Sequence, residues 1–138
     1  MTGERNGVGE GVRGEAPATI LVVEDEPLIQ MVTSEALNES GYRVLVAGDA
    51  DEAISILNRD ASVRLLFTDI VMPGTLDGFG LADWAKSVRP DLKVLYTSGY
   101  SWAAAQAHAG QVHGEMLRKP YRPGDLQRAV ESALGPTL

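Results

Sequence analysis

The sequence predicts an α/β fold in which a five-stranded parallel sheet carries helices on both faces, giving three layers. Three observations lead to this prediction. Five short apolar runs, rich in β-branched residues, alternate with stretches of helical periodicity. The strand candidates are apolar on both faces, which is typical of a buried parallel sheet. Regular alternation of strand and helix is the pattern of a chain that crosses over between parallel neighbours.

The predicted elements follow one another closely. Strands are expected at 19–23, 43–47, 64–68, 93–97 and 113–117. Helices are expected at 27–39, 49–58, 76–88, 101–109 and 123–134. Pro27 suits a first helical turn, and Asp49 with Glu52 has capping-box spacing. The last helix has an amphipathic stripe of apolar residues at i, i+3, i+4, i+7 and i+8, which are Leu126, Ala129, Val130, Ala133 and Leu134.

These elements suit a flavodoxin-like (βα)5 arrangement, for which the strand order 2-1-3-4-5 is a leading option with right-handed crossovers. The chain has 138 residues, enough for one domain with a sizeable core. Residues 1–17 hold five of the fifteen glycines and few large apolar groups, so we expect a flexible tail followed by one domain at 18–138. No appended output domain is expected, because the chain ends soon after the last predicted helix.

Composition excludes several classes of function. The net charge of −7 disfavours non-specific attraction to nucleic acid or anionic membranes, and no apolar run is long enough to cross a bilayer. The absence of cysteine excludes disulfides and thiol catalysis, and no secretory signal is present, so we expect a cytoplasmic protein. Gly9-x-Gly11-x-x-Gly14 superficially resembles a dinucleotide-binding motif. Such a motif follows a strand, whereas this one precedes the first strand, so nucleotide binding is disfavoured.

Acidic residues follow two of the predicted strands. Glu24 and Asp25 follow the first apolar run, and Asp69 follows the third and precedes the breaker cluster Met72-Pro73-Gly74. If the two strands are neighbours, the three carboxylates converge and raise one another's pKa unless a cation intervenes. Oxygen ligands suit a hard ion, so the sequence predicts a Mg2+ site.

Hydroxyl groups and an amine follow two further strands. The fourth apolar run ends in Thr97-Ser98-Gly99, and the fifth stretch ends in Lys119-Pro120. A metal, a carboxylate nucleophile, a hydroxyl and an ammonium group are together the parts of a phosphoryl-transfer site.

These motifs, in this order, closely resemble the receiver domain of bacterial two-component response regulators, in particular the single-domain, chemotaxis-regulator-like kind. The resemblance covers about residues 18–136. The motifs that carry it are Glu24-Asp25, Asp69, Met72-Pro73-Gly74, Ser98-Gly99 and Lys119-Pro120.

The resemblance implies roles for the acidic residues. Asp69 corresponds to the phosphoacceptor, whose carboxylate attacks the phosphorus of a phosphohistidine. Asp25 corresponds to a direct Mg2+ ligand, and Glu24 to a ligand that acts chiefly through water. The backbone carbonyl of Val71 would be the remaining protein ligand.

It also implies roles for the lysine and one hydroxyl. Lys119 corresponds to the ammonium that pairs with a phosphoryl oxygen, and its bond to Pro120 would be cis. Ser98 corresponds to the switch hydroxyl, which hydrogen-bonds the phosphoryl group once it is formed. Thr97 is the rival, but the family places a small residue after the switch hydroxyl, and Gly99 follows Ser98.

Three features depart from the best-known family pattern. Met116 stands where many receivers carry an aromatic residue whose rotation reports phosphorylation. Tyr100 follows Ser98-Gly99, which is similar to a receiver subclass frequent in single-domain regulators and hybrid histidine kinases. The loop between Pro73 and Asp77 is one residue longer than the commonest form.

The sequence therefore indicates a stand-alone response regulator, a signalling domain rather than an enzyme. Its phosphoryl donor would be a histidine kinase or a histidine phosphotransfer protein, and the face formed by the fourth helix, fifth strand and fifth helix would bind a downstream protein. A receiver-like interaction module that acts without phosphorylation is the alternative. A role as relay intermediate or phosphate sink stays open. A haloacid-dehalogenase-like phosphatase is disfavoured, since Val71 stands where that class needs a second acid.

Overall fold

The computed structural model describes residues 17–99 and 111–135. Within these ranges the strands are β1 (Thr19–Val23), β2 (Arg43–Ala47), β3 (Val63–Asp69), β4 (Lys93–Ser98) and β5 (Gly114–Arg118). The helices there are α1 (Pro27–Glu39), α2 (Ala50–Arg59), α3 (Gly78–Val88) and α4 (Pro123–Leu134). All four strand pairings are parallel, in the order β2-β1-β3-β4-β5. The predicted fold class and strand order are confirmed.

Two predictions fall on parts of the chain that are not described. The predicted helix at 101–109 and nearly all of the predicted tail at 1–17 lie outside the described residues. α4 therefore corresponds to the fifth predicted helix. No helix within the described ranges combines the length and the apolar character needed to span a membrane.

Alternate residues of the central strands pack into two apolar clusters, one on each face of the sheet. One cluster joins β1, β3 and β4 to α1 and α4; its buried members are Ile20, Val22, Leu37, Leu65, Phe67, Leu95, Leu126 and Val130. The other joins the opposite faces of these strands to α2 and α3. Burial on both faces fixes the register, since a slip of one residue would turn every apolar side chain to the wrong side.

The register brings the chemically important strand ends to one edge. Val23 pairs with Thr68, and Asp69 pairs with Thr97. Ser98, the last residue of β4, pairs with Arg118, the last residue of β5. The residues that follow β1, β3, β4 and β5 therefore emerge side by side.

α3 begins two residues later than the helix predicted at 76–88. Asp77 is its N-cap, and its side chain accepts a hydrogen bond from the Gly80 N–H at 2.8 Å. The Gly78 N–H donates to the carbonyl of Ile70 at 2.8 Å. A Cβ atom on Gly78 would lie 2.3 Å from the carbonyl oxygen of Asp69. Glycine at this position lets α3 begin directly against the end of β3.

β3 is longer than predicted and β5 is shifted by one residue. β3 extends to Asp69 because Asp69 still pairs with Thr97 on β4. β5 begins at Gly114 rather than 113, since the backbone N–H of His113 donates to the hydroxyl of Tyr96 at 3.1 Å.

Candidate functional site

The three predicted acidic residues meet at the carboxyl edge of the sheet. Glu24 and Asp25 directly follow β1, and Asp69 is the last residue of β3. One carboxylate oxygen from each residue lies within 4.8 Å of the other two. Glu24 and Asp69 are buried and Asp25 is exposed. The cluster is thus open to solvent on the side of Asp25.

Lys119 joins two of these carboxylates. Its Nζ lies 2.8 Å from Oε1 of Glu24 and 3.1 Å from Oδ2 of Asp69. Lys119 directly follows β5, and its backbone N–H donates to the carbonyl of Ser98 at 2.9 Å. The peptide bond to Pro120 is cis, as the resemblance implied. Side chains from three segments far apart in the chain therefore meet at one point.

Local hydrogen bonds hold Glu24 in place. Its Oε2 accepts a hydrogen bond from the Glu26 N–H at 3.1 Å. The Gln30 side chain donates to the Glu24 carbonyl at 3.1 Å and to the Ala47 carbonyl at 3.3 Å. Gln30 thus ties the start of α1 to the ends of β1 and β2. Sequence reasoning missed Gln30, because nothing in the pattern of the helix shows which polar residue turns towards the sheet.

Burial and charge shift the pKa values of the two central groups. Burial raises the pKa of Asp69 from its ordinary value of 3.8 to about 6; the bond to Lys119 opposes this shift, and the charges of Glu24 and Asp25 add to it. Burial disfavours the charged form of Lys119, but its hydrogen bonds to Glu24 and Asp69 outweigh that effect and raise its pKa above the ordinary 10.5. The lysine is therefore an ammonium at neutral pH.

The donor set fits a hard divalent cation. Three carboxylates facing one ammonium leave two negative charges uncompensated once the acids are ionised. A divalent cation would offset that charge, and all three side-chain donors are carboxylate oxygens, which Mg2+ prefers. Val71 lies two residues after Asp69 in the chain, and 53% of the residue is exposed.

Both candidate hydroxyls lie at the end of β4. Ser98 is the last residue of the strand and is buried, and its carbonyl is the group that anchors Lys119. Thr97 pairs with Asp69 and is buried as well. Its Oγ1 is enclosed without a hydrogen-bond partner. The choice of Ser98 over Thr97 as the switch hydroxyl stays a prediction.

A further pair of residues connects α1 to the segment that follows Lys119. The hydroxyl of Tyr121 lies 2.7 Å from Oγ1 of Thr33 on α1. The Tyr121 ring packs on Phe67 of β3, with ring centroids 6.0 Å apart. Sequence reasoning missed this pair, although Tyr121 directly follows Lys119-Pro120.

Comparisons with known proteins agree on one family. The family model for the response regulator receiver domain matches residues 20–131. The response regulator receiver protein CpdR of Brucella abortus is 32% identical over 116 residues, which are 83% of this chain and 95% of CpdR. The sensor kinase CckA of the same organism is 33% identical over 119 residues, which are 85% of this chain but 12% of CckA.

A solved structure gives the same result. The response regulator receiver protein from Sinorhizobium medicae superposes with a TM-score of 0.77 at 27% identity, covering 86% of this chain and 94% of that protein.

Proposed function

This chain belongs to the response regulator receiver domain family, and from that membership we propose that Asp69 accepts a phosphoryl group in a Mg2+-dependent reaction. The donor is the phosphohistidine of a histidine kinase or of a histidine phosphotransfer protein. The observation that carries the proposal is the meeting of three carboxylates within 4.8 Å, two of them bridged by one lysine ammonium. This arrangement places a carboxylate nucleophile beside a lysine ammonium and beside acidic groups that can hold Mg2+. Both positive charges would offset the negative charge of an incoming phosphoryl group.

In the transfer step, a carboxylate oxygen of Asp69 forms a bond to phosphorus as the phosphorus–nitrogen bond of the donor breaks. The histidine ring leaves with the bonding electron pair, and Asp69 becomes an aspartyl phosphate. Glu24, Asp25, the Asp69 carboxylate and the Val71 carbonyl would hold the metal. Mg2+, when bound, supplies positive charge that offsets the incoming phosphoryl oxygens.

Lys119 and Ser98 give the phosphorylated form its different conformation. A phosphoryl group can shift a conformational equilibrium only by binding one state better than the other. The Lys119 ammonium pairs with one phosphoryl oxygen, and the Ser98 hydroxyl donates to another. Ser98 is the last residue of β4 and Lys119 directly follows β5, and the Lys119 N–H donates to the Ser98 carbonyl at 2.9 Å. Movement at either residue therefore reaches the other.

The altered form would present a different surface to a downstream protein. Of the face predicted for this contact, β5 and α4 are described, and the predicted helix at 101–109 is not. Action as a stand-alone regulator is supported by similarity over 95% of CpdR. A receiver-like interaction module without phosphorylation is the competing function.

Phosphate uptake separates the two functions. Purified protein should gain the mass of one phosphoryl group when it is incubated with acetyl phosphate and Mg2+. Excess EDTA should prevent the gain, because the uncompensated charge of the acids then repels the donor. Intact mass spectrometry is the measurement. A protein that stays unmodified with Mg2+ present, although folded by circular dichroism, would support the interaction module.

The aspartyl phosphate should decay slowly. By resemblance, the side chains two residues after the acceptor and two after the switch hydroxyl flank the attacking water. The corresponding residues are Val71 and Tyr100, and Tyr100 lies outside the described residues. Neither carries a carboxylate or an amide, so water is poorly oriented. Val71→Asn should speed decay by about tenfold, because its amide can hold that water. The measurement is intact mass against time after removal of the donor. Val71→Leu, which adds no polar group, should decay like the wild type, and equal rates for all three proteins would contradict the prediction.

A further inference from the structure

Tyr121, in the segment that follows β5, contacts both β3 and α1. Its ring packs on Phe67, which lies two residues before Asp69 on the same face of β3. Its hydroxyl lies 2.7 Å from Oγ1 of Thr33 on α1. Thr33 is only 2% exposed, so little water competes for the bond. Tyr121 also lies two residues after Lys119.

This arrangement anchors the backbone of Lys119 on both sides. Before the cis bond, the Lys119 N–H is held by the Ser98 carbonyl at 2.9 Å. After it, Tyr121 is held by its ring contact and its bond to Thr33. A lysine side chain has much rotational freedom and does not fix the place of its own Nζ. The position of the backbone therefore limits which partners the Nζ can reach.

The hydrogen bond between Thr33 and Tyr121 also ties the segment after Lys119 to the helix that follows Glu24 and Asp25. α1 begins at Pro27, directly after Glu24, Asp25 and Glu26. Thr33 lies in the second turn of that helix. The bond therefore connects the lysine loop to the helix that follows the acidic pair.

We propose that the hydrogen bond between Thr33 and Tyr121 positions Lys119 between Glu24 and Asp69. Tyr121 and Thr33 are thus positioning residues that act through the lysine. The proposal rests on the proposed function, in which Lys119 meets a phosphoryl oxygen at that place.

Loosening the bond should have two effects of opposite sign. Lys119 contacts Glu24 and Asp69, two of the carboxylates that would hold Mg2+, and its positive charge repels the cation. A lysine that leaves this position should therefore let Mg2+ bind more tightly. It should also meet the incoming phosphoryl group less often, which slows uptake. A purely structural role for the pair would weaken metal binding and uptake together.

The test uses Tyr121→Phe and Thr33→Val, which remove the hydrogen bond and keep the ring and the side-chain shape. Titration calorimetry should show Mg2+ binding about two- to fivefold tighter in each variant. Uptake from acetyl phosphate, followed by intact mass, should be about tenfold slower. The double variant should match the single ones, because one bond is removed in all three. Ser40→Ala, which removes an exposed hydroxyl at the far end of α1, should change neither quantity.

A second background isolates the role of the lysine. In a Lys119→Ala protein, Tyr121→Phe should no longer tighten Mg2+ binding, because there is no lysine to position. Unchanged or weaker Mg2+ binding in the two single variants would overturn the proposal, even with slower uptake. If the wild type takes up no phosphate, the proposed function fails, and the Mg2+ titrations still decide whether the bond positions Lys119.

Discussion

Asp69→Asn should reduce phosphate uptake to background, a loss of at least about a hundredfold. Asparagine keeps the size of the side chain but lacks the carboxylate that attacks phosphorus. Glu24, Asp25 and Lys119 stay in place, so the variant removes the nucleophile and leaves the rest of the site. The measurement is intact mass after incubation with acetyl phosphate and Mg2+, beside the wild type.

Asp77→Asn is the matched control, because it makes the same chemical change at an exposed carboxylate nearby. Asp77 caps α3, and asparagine caps a helix about as well. This variant should take up phosphate like the wild type. If Asp69→Asn still takes up phosphate, or if the modified peptide does not contain residue 69, Asp69 is not the phosphoacceptor.

The Asp69→Asn substitution should also stabilise the folded protein at neutral pH when EDTA removes divalent cations. The Asp69 carboxylate is buried beside two other acids, which makes its ionised form unfavourable in the folded state. An amide in its place carries no charge, and Lys119 keeps Glu24 as a partner at 2.8 Å. The free energy of unfolding should rise by about 1–3 kcal/mol at pH 7.

The pH dependence follows from the direction of the pKa shift. Burial raises the pKa of Asp69 from 3.8 to about 6. Between these values the folded state holds a proton that the unfolded state has released, so the contribution of Asp69 to stability falls as the pH rises through this window. The Asp69→Asn variant lacks this loss. The difference in free energy of unfolding between this variant and the wild type should be near zero at about pH 4, grow between about pH 4 and 6, and stay level above about pH 6.

Urea denaturation at pH 4, 5, 6 and 7 in EDTA measures this difference. A difference in free energy of unfolding that is as large at pH 4 as at pH 7 would show that packing, and not ionisation of Asp69, causes it. A variant less stable than the wild type at pH 7 would mean that the ion pair between Asp69 and Lys119 outweighs the burial of the charge.

Much of the fold could be predicted because its signals are local. The apolar runs gave the strands to within one or two residues, and Pro27 and Asp49 marked the starts of α1 and α2. α3 was less well predicted, since its start depends on Gly78 fitting against the carbonyl of Asp69, a contact between residues of different elements.

The sequence by itself determined which chemical groups stand at the strand ends, because strand periodicity and breaker residues are properties of neighbouring positions. Glu24, Asp25, Asp69 and Lys119 were found in this way. Only the tertiary structure decided that the Lys119 ammonium bridges Glu24 and Asp69, and that Tyr121 bonds to Thr33, 88 residues away in the chain. The physical reason is that such contacts depend on how helices and loops rotate as they pack on the sheet, which no local pattern encodes.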